Sequence, residues 1–444
     1  MATAKTVSPA RLAAFQVLRE IEGGAFSSVA LAEKEPNLLP LDRGLCHELV
    51  MGVLRWQLYL DALIEHHARR PIQKIDLPVR LALRLGLYQL NFLSRIPPSA
   101  AVNEAVNTVG NARLSSARTF VNAVLRNALR EPDYDPAQGL QDPFERVAVR
   151  TSHPLWLIKR WSGEFGIEHA ASFAAANNET PPISFRIVKS ATCGSDVLMR
   201  LREDGATVEP SRMVTGAWRI LRSTGLLREL VAEGKIYLQD EASQLVAHIL
   251  QARSGERILD LCAAPGGKTT LLADLSDDRS AVIAGDLSAR RLATINLAAA
   301  TQGLRGISLV QLNALCSLPF AEGKFDRVLV DAACSGTGTL RRNPEIRWRI
   351  TNDDIKTLSG KQLQFLLNAA SSVKPGGRLV YSTCSVEIEE NESVVDQFLK
   401  VAPAFQPAAI EADSVLLTST GVARTWPQRD GTDGFFVAAF QRTY

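Results

Sequence analysis

The chain has 444 residues, 46% hydrophobic and 22% charged, with a net charge of +3. These proportions exclude a disordered or fibrous protein and fit an ordinary globular one of two to four domains. No run approaches the 18 or so uncharged apolar residues of a membrane span, and "MATAKTVSPARLAAF" lacks the apolar core and cleavage site of a signal peptide, so a cytoplasmic location is expected. The six cysteines are scattered without a CxxC pair and the six histidines all precede residue 250. That argues against a disulfide framework and against a metal site, and leaves the C-terminal half without a Cys–His dyad.

Residues 1–135 read as helices. Ser8 is placed to cap the first, with Pro9 at its first position, and apolar residues recur at Leu12, Phe15, Leu18 and Ile21. "DRGLCHELVMGVLRWQLYLDALI" and "PVRLALRLGLYQLNFLS" have the apolar spacing of bundled helices. Pro97-Pro98 stops one helix, and Ser99 is placed to cap the next. Residues 1–130 carry 16 lysines and arginines against 10 acids, a net of +6 that leaves −3 for the remainder. A basic helical region suits a polyanionic partner, although a solvated helical surface has the same composition.

"REPDYDPAQGLQDP" (130–143) has the Pro, Asp and Gly content of a linker. Residues 136–235 read as a small α+β module: "HPLWLIKRWSGEFG" is helical, "ISFRIVK" a strand, and "VLMRLREDGATVEP" a helix followed by a strand. From 236 to 444 short apolar strands alternate with helices, in "RILDLCA", "AVIAGDL", "ISLVQLN", "FDRVLVDA" and "GRLVYSTC". This is the pattern of a parallel α/β sheet with helical crossovers. "GFFVAAFQR" is expected to close its edge as an antiparallel strand.

The first of these strands runs into "LCAAPGGKTT". A P-loop would need glycine five residues before Gly267, where Cys262 stands, so that motif is excluded. A nucleoside-cofactor loop fits better: Gly266 and Gly267 let the backbone approach a ligand, and the following helix N-terminus favours an anionic group. The second strand ends in Asp286, twenty residues after Gly266, an offset that suits an acceptor for ribose hydroxyls. Ligands of open α/β sheets sit at the carboxyl ends of strands, and there the sequence delivers Asp331 and Cys334 from one strand and Cys384 from another. One free cysteine is most often core filler. Two at equivalent strand ends beside an acid and a nucleoside loop point to thiol chemistry.

"DLCAAPGGKT", "DAACSGTG", "RRNPEIRW" and "YSTCSVEIEEN" together resemble the Nop/Sun RNA cytosine-C5 methyltransferases. "YLQDEASQ" and "GTDGFFVAAF" fit the ends of that catalytic domain, and the N-terminal helices resemble a NusB-like RNA-binding domain. In this order the domains are similar to those of the bacterial RsmB/Sun family, which acts on 16S ribosomal RNA. The resemblance implies a NusB-like helical domain (1–135), a small α+β RNA-binding module (136–235) and a Rossmann-like class I methyltransferase domain (236–444). It implies S-adenosyl-L-methionine as cofactor, held by Cys262, Ala263, Ala264, Pro265, Gly266, Gly267 and Lys268, with Asp286, Asn313 and Asp331. Cys384 is then the nucleophile, Cys334 assists release, and Asp331 borders cofactor and cytosine. Arg186, Arg341, Arg342 and Arg347 are expected on the RNA, with Trp348 either beside them or in the core. The partner is 16S rRNA or a small-subunit assembly intermediate, bound by a monomer with no membrane or metal.

Three positions depart from the family pattern. In "ISFRIVKS" Val188 stands where the family's arginine–x–asparagine pattern has asparagine, which removes an expected polar contact beside Arg186. Asn313 stands where the family has an acid near the adenine. Ala333 replaces a proline, which loosens the turn before Cys334 and adds an N–H that needs a partner. A transfer-RNA substrate, or a non-catalytic antitermination factor, are the alternatives to a ribosomal RNA enzyme. Lys268, Arg341 and the cofactor sulfonium are equal candidates for the positive charge that favours a thiolate.

Overall fold

The computed structural model describes residues 7–112 and 114–443, so the first six residues, on which part of the no-leader reading rests, lie outside it. Among the described residues no helix is long and apolar enough to cross a membrane. The chain forms two compact units. One runs to Glu179 and is completed by Leu340–Arg349; the other comprises Thr180–Thr339 and Ile350–Tyr444.

In the first unit, helices from Pro9–Glu22 to Arg118–Arg130 pack around Leu77–Phe92, which is buried without a break from Leu81 to Gln89. A helix buried all round must neutralise any charge it carries. Arg84, 3% exposed, does so by forking onto both oxygens of Asp61 at 2.7 Å and reaching Glu22 at 2.8 Å. Pro9 opens the first helix as expected, but Ser8 makes no side-chain cap; its hydroxyl accepts from Arg11 instead. Ser99 is likewise not a cap. The helix begins at Pro98, whose fixed φ suits a first helical position, so Ser99 falls inside its first turn.

Residues 131–142 form neither helix nor strand, yet Ala137 is fully buried and Tyr134 stacks on His66 with ring centroids 3.6 Å apart. Helices Pro143–Thr151, Leu155–Phe165 and Ile167–Ala176 join this unit, so its compact body extends beyond residue 135.

Leu340–Arg349 belongs to the helical unit although it is embedded in the catalytic half of the sequence. Glu345 accepts from the Ser27 amide and hydroxyl at 2.9 Å, and Trp348 Nε1 donates to the Leu54 carbonyl at 3.0 Å. Arg347 is fully buried and donates to the carbonyls of Arg55, Ser152 and Asn177 and to Asn178 Oδ1, at 2.9–3.3 Å. Burial lowers its pKa to about 9. Arg341 is 2% exposed, and its carbonyl takes a hydrogen bond from Arg55.

The expectation that Arg341 and Arg347 face RNA is therefore corrected: Arg341 is buried, and the Arg347 guanidinium is spent on acceptors inside the helical unit. Arg342 remains half-buried. Replacing Arg347 with methionine removes the donor from four buried acceptors. It is expected to cost on the order of 3 kcal/mol, read as a lower guanidinium midpoint; an unchanged midpoint would show the bonds to be dispensable.

The second unit opens with a four-stranded antiparallel sheet, β1 (Ile183–Ile187), β2 (Thr207–Pro210), β3 (Ala217–Arg222) and β4 (Ile236–Leu238), in the order β2-β3-β1-β4. Phe185, Leu201, Leu230 and Ile236 form its core. The main sheet follows, with β5 (Arg257–Asp260), β6 (Ala281–Asp286), β7 (Ile307–Gln311), β8 (Phe325–Asp331) and β9 (Val373–Thr383) parallel. β10 (Phe405–Pro407), β11 (Ala423–Arg424) and β12 (Phe436–Arg442) complete it in the order β10-β12-β9-β8-β5-β6-β7, with β11 also paired to β12.

β12 is antiparallel to β9, as expected, but it is not the edge, because β10 pairs on its far side. From β5 the chain builds outward through β6 and β7, then crosses to β8 on the other side. β5 and β8 therefore flank the switch point, where an α/β sheet opens a crevice.

Candidate active site

The loop after β5 turns into helix Gly267–Leu275 through Gly266, whose φ of +104° is open to glycine and whose missing Cβ would lie 3.0–3.2 Å from Ile295. The loop is pinned from β6. Ala263 N–H donates to the Gly285 carbonyl at 2.9 Å, and Ala264 N–H donates to Asp286 Oδ2 at 3.3 Å. The other oxygen of Asp286 accepts from Ser288 N–H at 3.0 Å. Asp286 thus shapes the loop, and each oxygen keeps a further lone pair for a ligand.

Asn313, past the end of β7, is exposed; its Oδ1 is turned back onto the Leu315 amide at 3.0 Å. A cavity of about 150 Å³ opens at the switch point, lined by Tyr237, Gln239 and Ser243, by Asp260, by Cys262–Pro265 with Gly267 and Lys268, and by Asp331.

Two acceptors in this wall are left over. Asp260 is fully buried. Thr269 donates to its Oδ2 at 2.7 Å, but Oδ1 has no donor among the described residues. Gln239 Nε2 donates to Ser243 at 3.0 Å, while its buried Oε1 is also without a partner among the described residues. Buried polar atoms are ordinarily satisfied, so a pair of orphan acceptors calls for a ligand that donates. Sequence reading missed both residues. Asp260 ends a strand before the glycine loop, and Gln239 lies in "YLQDEASQ", which was quoted only as a domain boundary. Burial raises Asp260 to about 7 against the Thr269 bond that lowers it, with the charge of Asp331 adding to the rise.

Lys268 Nζ donates to Asp331 Oδ2 at 2.7 Å and lies 5.1 Å from the Phe435 ring centroid. Ser382, on neighbouring β9, donates to Asp331 Oδ1 at 2.7 Å. Both oxygens of Asp331 therefore accept a hydrogen bond. Burial lowers the Lys268 pKa, but Asp331, then Cys384 and Asp260, outweigh it and raise it overall. Lys268 is thus the ammonium that senses Cys384, whereas Arg341 is buried in the helical unit.

Register explains the thiols. Asp331 on β8 pairs with Ser382 on β9, so Cys334 and Cys384 leave the sheet three and two residues later, from adjacent strands. Their sulfurs are 3.3 Å apart. The hydrogen bond with Cys384, burial and nearby negative charge together raise Cys334 well above the usual thiol range. Cys262 is different: burial pushes it to about 12, opposed by a hydrogen bond from Ala333 N–H. The extra N–H at Ala333 therefore has a partner, and its carbonyl accepts from Gln362 at 3.0 Å. Gly338, closing the "CSGTG" turn, packs so tightly that a Cβ would lie 1.9 Å from the Gly434 carbonyl oxygen.

Arg186 was expected on RNA and is corrected. It is 2% exposed, donates to Thr270 at 2.9 Å and Gln302 at 2.8 Å, and faces Asp274 at 3.5 Å. It fastens β1 to the helices behind the glycine loop.

Known proteins give this arrangement a class. Residues 247–441 match the family described as 16S rRNA methyltransferase RsmB/F, residues 8–130 the NusB family, and residues 153–225 the ferredoxin-like domain of RsmF/B-like methyltransferases. The switch-point cavity belongs to a Rossmann-like methyltransferase domain that uses S-adenosyl-L-methionine.

Over nearly its whole length the chain is 34% identical to the probable ribosomal RNA small subunit methyltransferase B of Bacillus subtilis, covering 94% of this chain and 95% of that protein. It is 36% identical to the protein of the same description from Synechocystis, covering 98% and 99%. The crystal structure of PH0851 matches with a TM-score of 0.84 and 28% identity over 98% of this chain and 99% of that one. A methyltransferase homologue from Pyrococcus horikoshii matches at 0.60 and 27% identity, over 68% and 100%. The chain is a member of the RsmB/F family of methyltransferases.

The orphan acceptors fit this cofactor, whose amino-acid end carries an ammonium. Only ionised Asp260 attracts it, and near its pKa of about 7 the residue ionises as the pH rises. S-Adenosylmethionine is expected to bind on the order of tenfold more tightly at about pH 7.5 than at about pH 5.5 by calorimetry, and Asp260→Asn flattens that dependence. Equal affinity at both pH values would remove the ammonium from Asp260.

Proposed function

We propose that this methyltransferase acts on C5 of a cytosine in small-subunit 16S ribosomal RNA, with Cys384 as nucleophile and Cys334 as the thiol that permits release. The observation that carries this reading is the pair of sulfurs 3.3 Å apart at the ends of β8 and β9, beside the Lys268–Asp331 pair. C5 of cytosine is too weak a nucleophile to take a methyl group unaided. Attack by the Cys384 thiolate on C6 forms an S–C6 bond and moves electron density to C5. The cofactor, when bound, supplies an electrophilic methyl group.

C5 then carries both methyl and hydrogen. Removal of that proton restores the C5–C6 double bond and expels the Cys384 thiolate. Cys334, in contact with Cys384 and itself hard to ionise, relays that proton: its S–H proton goes to the departing Cys384 thiolate as its sulfur takes the proton from C5. Lys268 supports the thiolate of Cys384 and offers an N–H toward negative charge on the pyrimidine edge. Asp331 positions Lys268. The target base must leave its stack to enter the cavity.

The names of the relatives, small subunit methyltransferase B, support ribosomal RNA over transfer RNA. The basic helices of residues 1–130 support an RNA partner, either naked 16S rRNA or an assembly intermediate. The family matches to residues 8–130, 153–225 and 247–441 support three modules, residues 1–135, 136–235 and 236–444; a cytoplasmic monomer belongs to the same proposal. Cofactor contacts from Asp286 and Asn313 and an RNA contact from Arg342 belong to the same proposal. The non-catalytic alternative loses one of its motives, because the departure at Ala333 is accommodated by Cys262 and Gln362.

Cys384→Ala is expected to abolish methyl transfer from labelled S-adenosylmethionine, and retained turnover would refute the nucleophile. Cys334→Ala is expected to accumulate a protein–RNA adduct stable to denaturing gels; normal turnover with free RNA alone would refute its release role. Bisulfite sequencing of ribosomal and transfer RNA from a deletion strain identifies the substrate by the position that loses protection. A transfer-RNA position there would overturn the ribosomal assignment.

A further inference from the structure

Each working cysteine is followed by a serine, Cys334 by Ser335 and Cys384 by Ser385, and both serines turn to the same buried group. Glu390 is fully buried and lies in the short turn Ile388–Glu390. Its Oε1 accepts from Ser335 N–H at 2.9 Å and from Gln362 Nε2 at 2.9 Å. Its Oε2 accepts from both serine hydroxyls, Ser385 at 2.5 Å and Ser335 closer still. Gln362 Nε2 also donates to the Ala333 carbonyl, so the residues on either side of Cys334 are both reached.

The next residue does the same for Cys384. Asn391 Nδ2 donates to the Ser385 carbonyl at 2.9 Å, and its Oδ1 accepts from Thr383. Tyr381 OH donates to the Glu390 carbonyl, fixing the turn to β9.

We propose that Glu390 is the positioning residue of the thiol pair: one buried carboxylate ties the two strand-end loops together through Ser335 and Ser385 and holds Cys334 and Cys384 in contact. The two loops leave parallel strands, and beyond Asp331 and Ser382 their backbones next meet where the Gly338 N–H donates to the Cys384 carbonyl at 2.9 Å, four residues past Cys334, so the stretch that carries Cys334 is tied across by side chains. A carboxylate suits this place because each of its oxygens accepts two donors at once, which a neutral side chain of that size does not. Its donors are charge-assisted and buried, the setting in which such bonds are strongest. Its negative charge also disfavours a thiolate on Cys334, after the bond with Cys384 and burial. The catalytic consequence rests on the proposed function; the geometric claim does not.

A trivalent arsenical tests the geometry directly. Phenylarsine oxide condenses with two thiols held in contact, forming two S–As bonds and releasing its oxygen with the two thiol protons as water. The full-length protein is expected to take up one phenylarsenic, lost in Cys334→Ser and in Cys384→Ser. Glu390→Ala is expected to weaken bridging at least tenfold, while iodoacetamide still alkylates Cys384 within about twofold of the wild-type rate and S-adenosylmethionine binds unchanged. Glu390→Gln, which keeps one acceptor oxygen, recovers part of the loss.

On RNA, Glu390→Ala is expected to lower kcat about 100-fold, with the KM for cofactor unchanged. If Glu390→Ala does not fold, Ser335→Ala and Ser385→Ala read the same two links singly. Wild-type arsenical affinity in folded Glu390→Ala, or in both serine variants, overturns the proposal. Because the arsenical assay uses neither RNA nor methyl transfer, a protein inactive on cytosine that still bridges in a Glu390-dependent way refutes the proposed function and leaves this inference standing.

Discussion

One ion pair sets the terms for the rest of the catalytic unit: Lys268 Nζ on Asp331 Oδ2 at 2.7 Å. It crosses the switch point, joining the helix after the glycine loop to the end of β8. Lys268 is reachable only because Gly266 turns the chain at a positive φ into that helix. Asp331 is oriented by Ser382 from the next strand, and Phe435 faces the ammonium. An ammonium largely removed from water is tolerated only where charge answers it, and here Asp331, Cys384 and Asp260 all do. Without Lys268 the acids would repel one another and Cys384 would lose the positive charge beside it.

The thiol site is then a matter of strand register. Parallel pairing of Asp331 with Ser382 sends Cys334 and Cys384 out of the same edge, and small residues let the two turns close over it. Gly338 meets Gly434 at a distance that admits no Cβ, so the "GTDGFF" stretch before β12 supports the same turn that carries Cys334. Behind the sulfurs, Glu390 and Asn391 occupy the serines and carbonyls that flank each cysteine. The cavity presents orphan acceptors at Asp260 and Gln239, and its wall includes the Lys268–Asp331 pair.

Much of this was legible in the residues because its causes are local. Strand–loop–helix periodicity located β5 to β9. The cysteines announced themselves as strand-end residues, and the exclusion of a P-loop followed from one missing glycine. What the sequence did not disclose depends on partners far apart in the chain. Arg186, Arg341 and Arg347 look like phosphate ligands by type, yet all three are buried: Arg186 and Arg347 donate to acceptors 84 and 292 residues away, and Arg341 sits beside Arg55, which donates to its carbonyl. The edge strand was missed because "FQP" is three residues long and has no periodicity of its own. Asp260, Gln239 and Glu390 escaped for a related reason: an orphan atom or a shared acceptor exists only once the chain is folded. Ser99 shows the local limit, since Pro98 competes for the helix start and wins it.

The most direct measurement of the central claim is the site of covalent attachment to an RNA substrate carrying 5-fluorocytosine at the target. Attack at C6 and methylation at C5 leave fluorine where the departing proton should be, so the S–C6 bond cannot be released. Peptide mapping of the trapped adduct by mass spectrometry is expected to place the nucleotide on Cys384 and nowhere else. Attachment at Cys334, or steady methylation of unsubstituted RNA by an enzyme that forms no adduct with the fluorinated one, would contradict it.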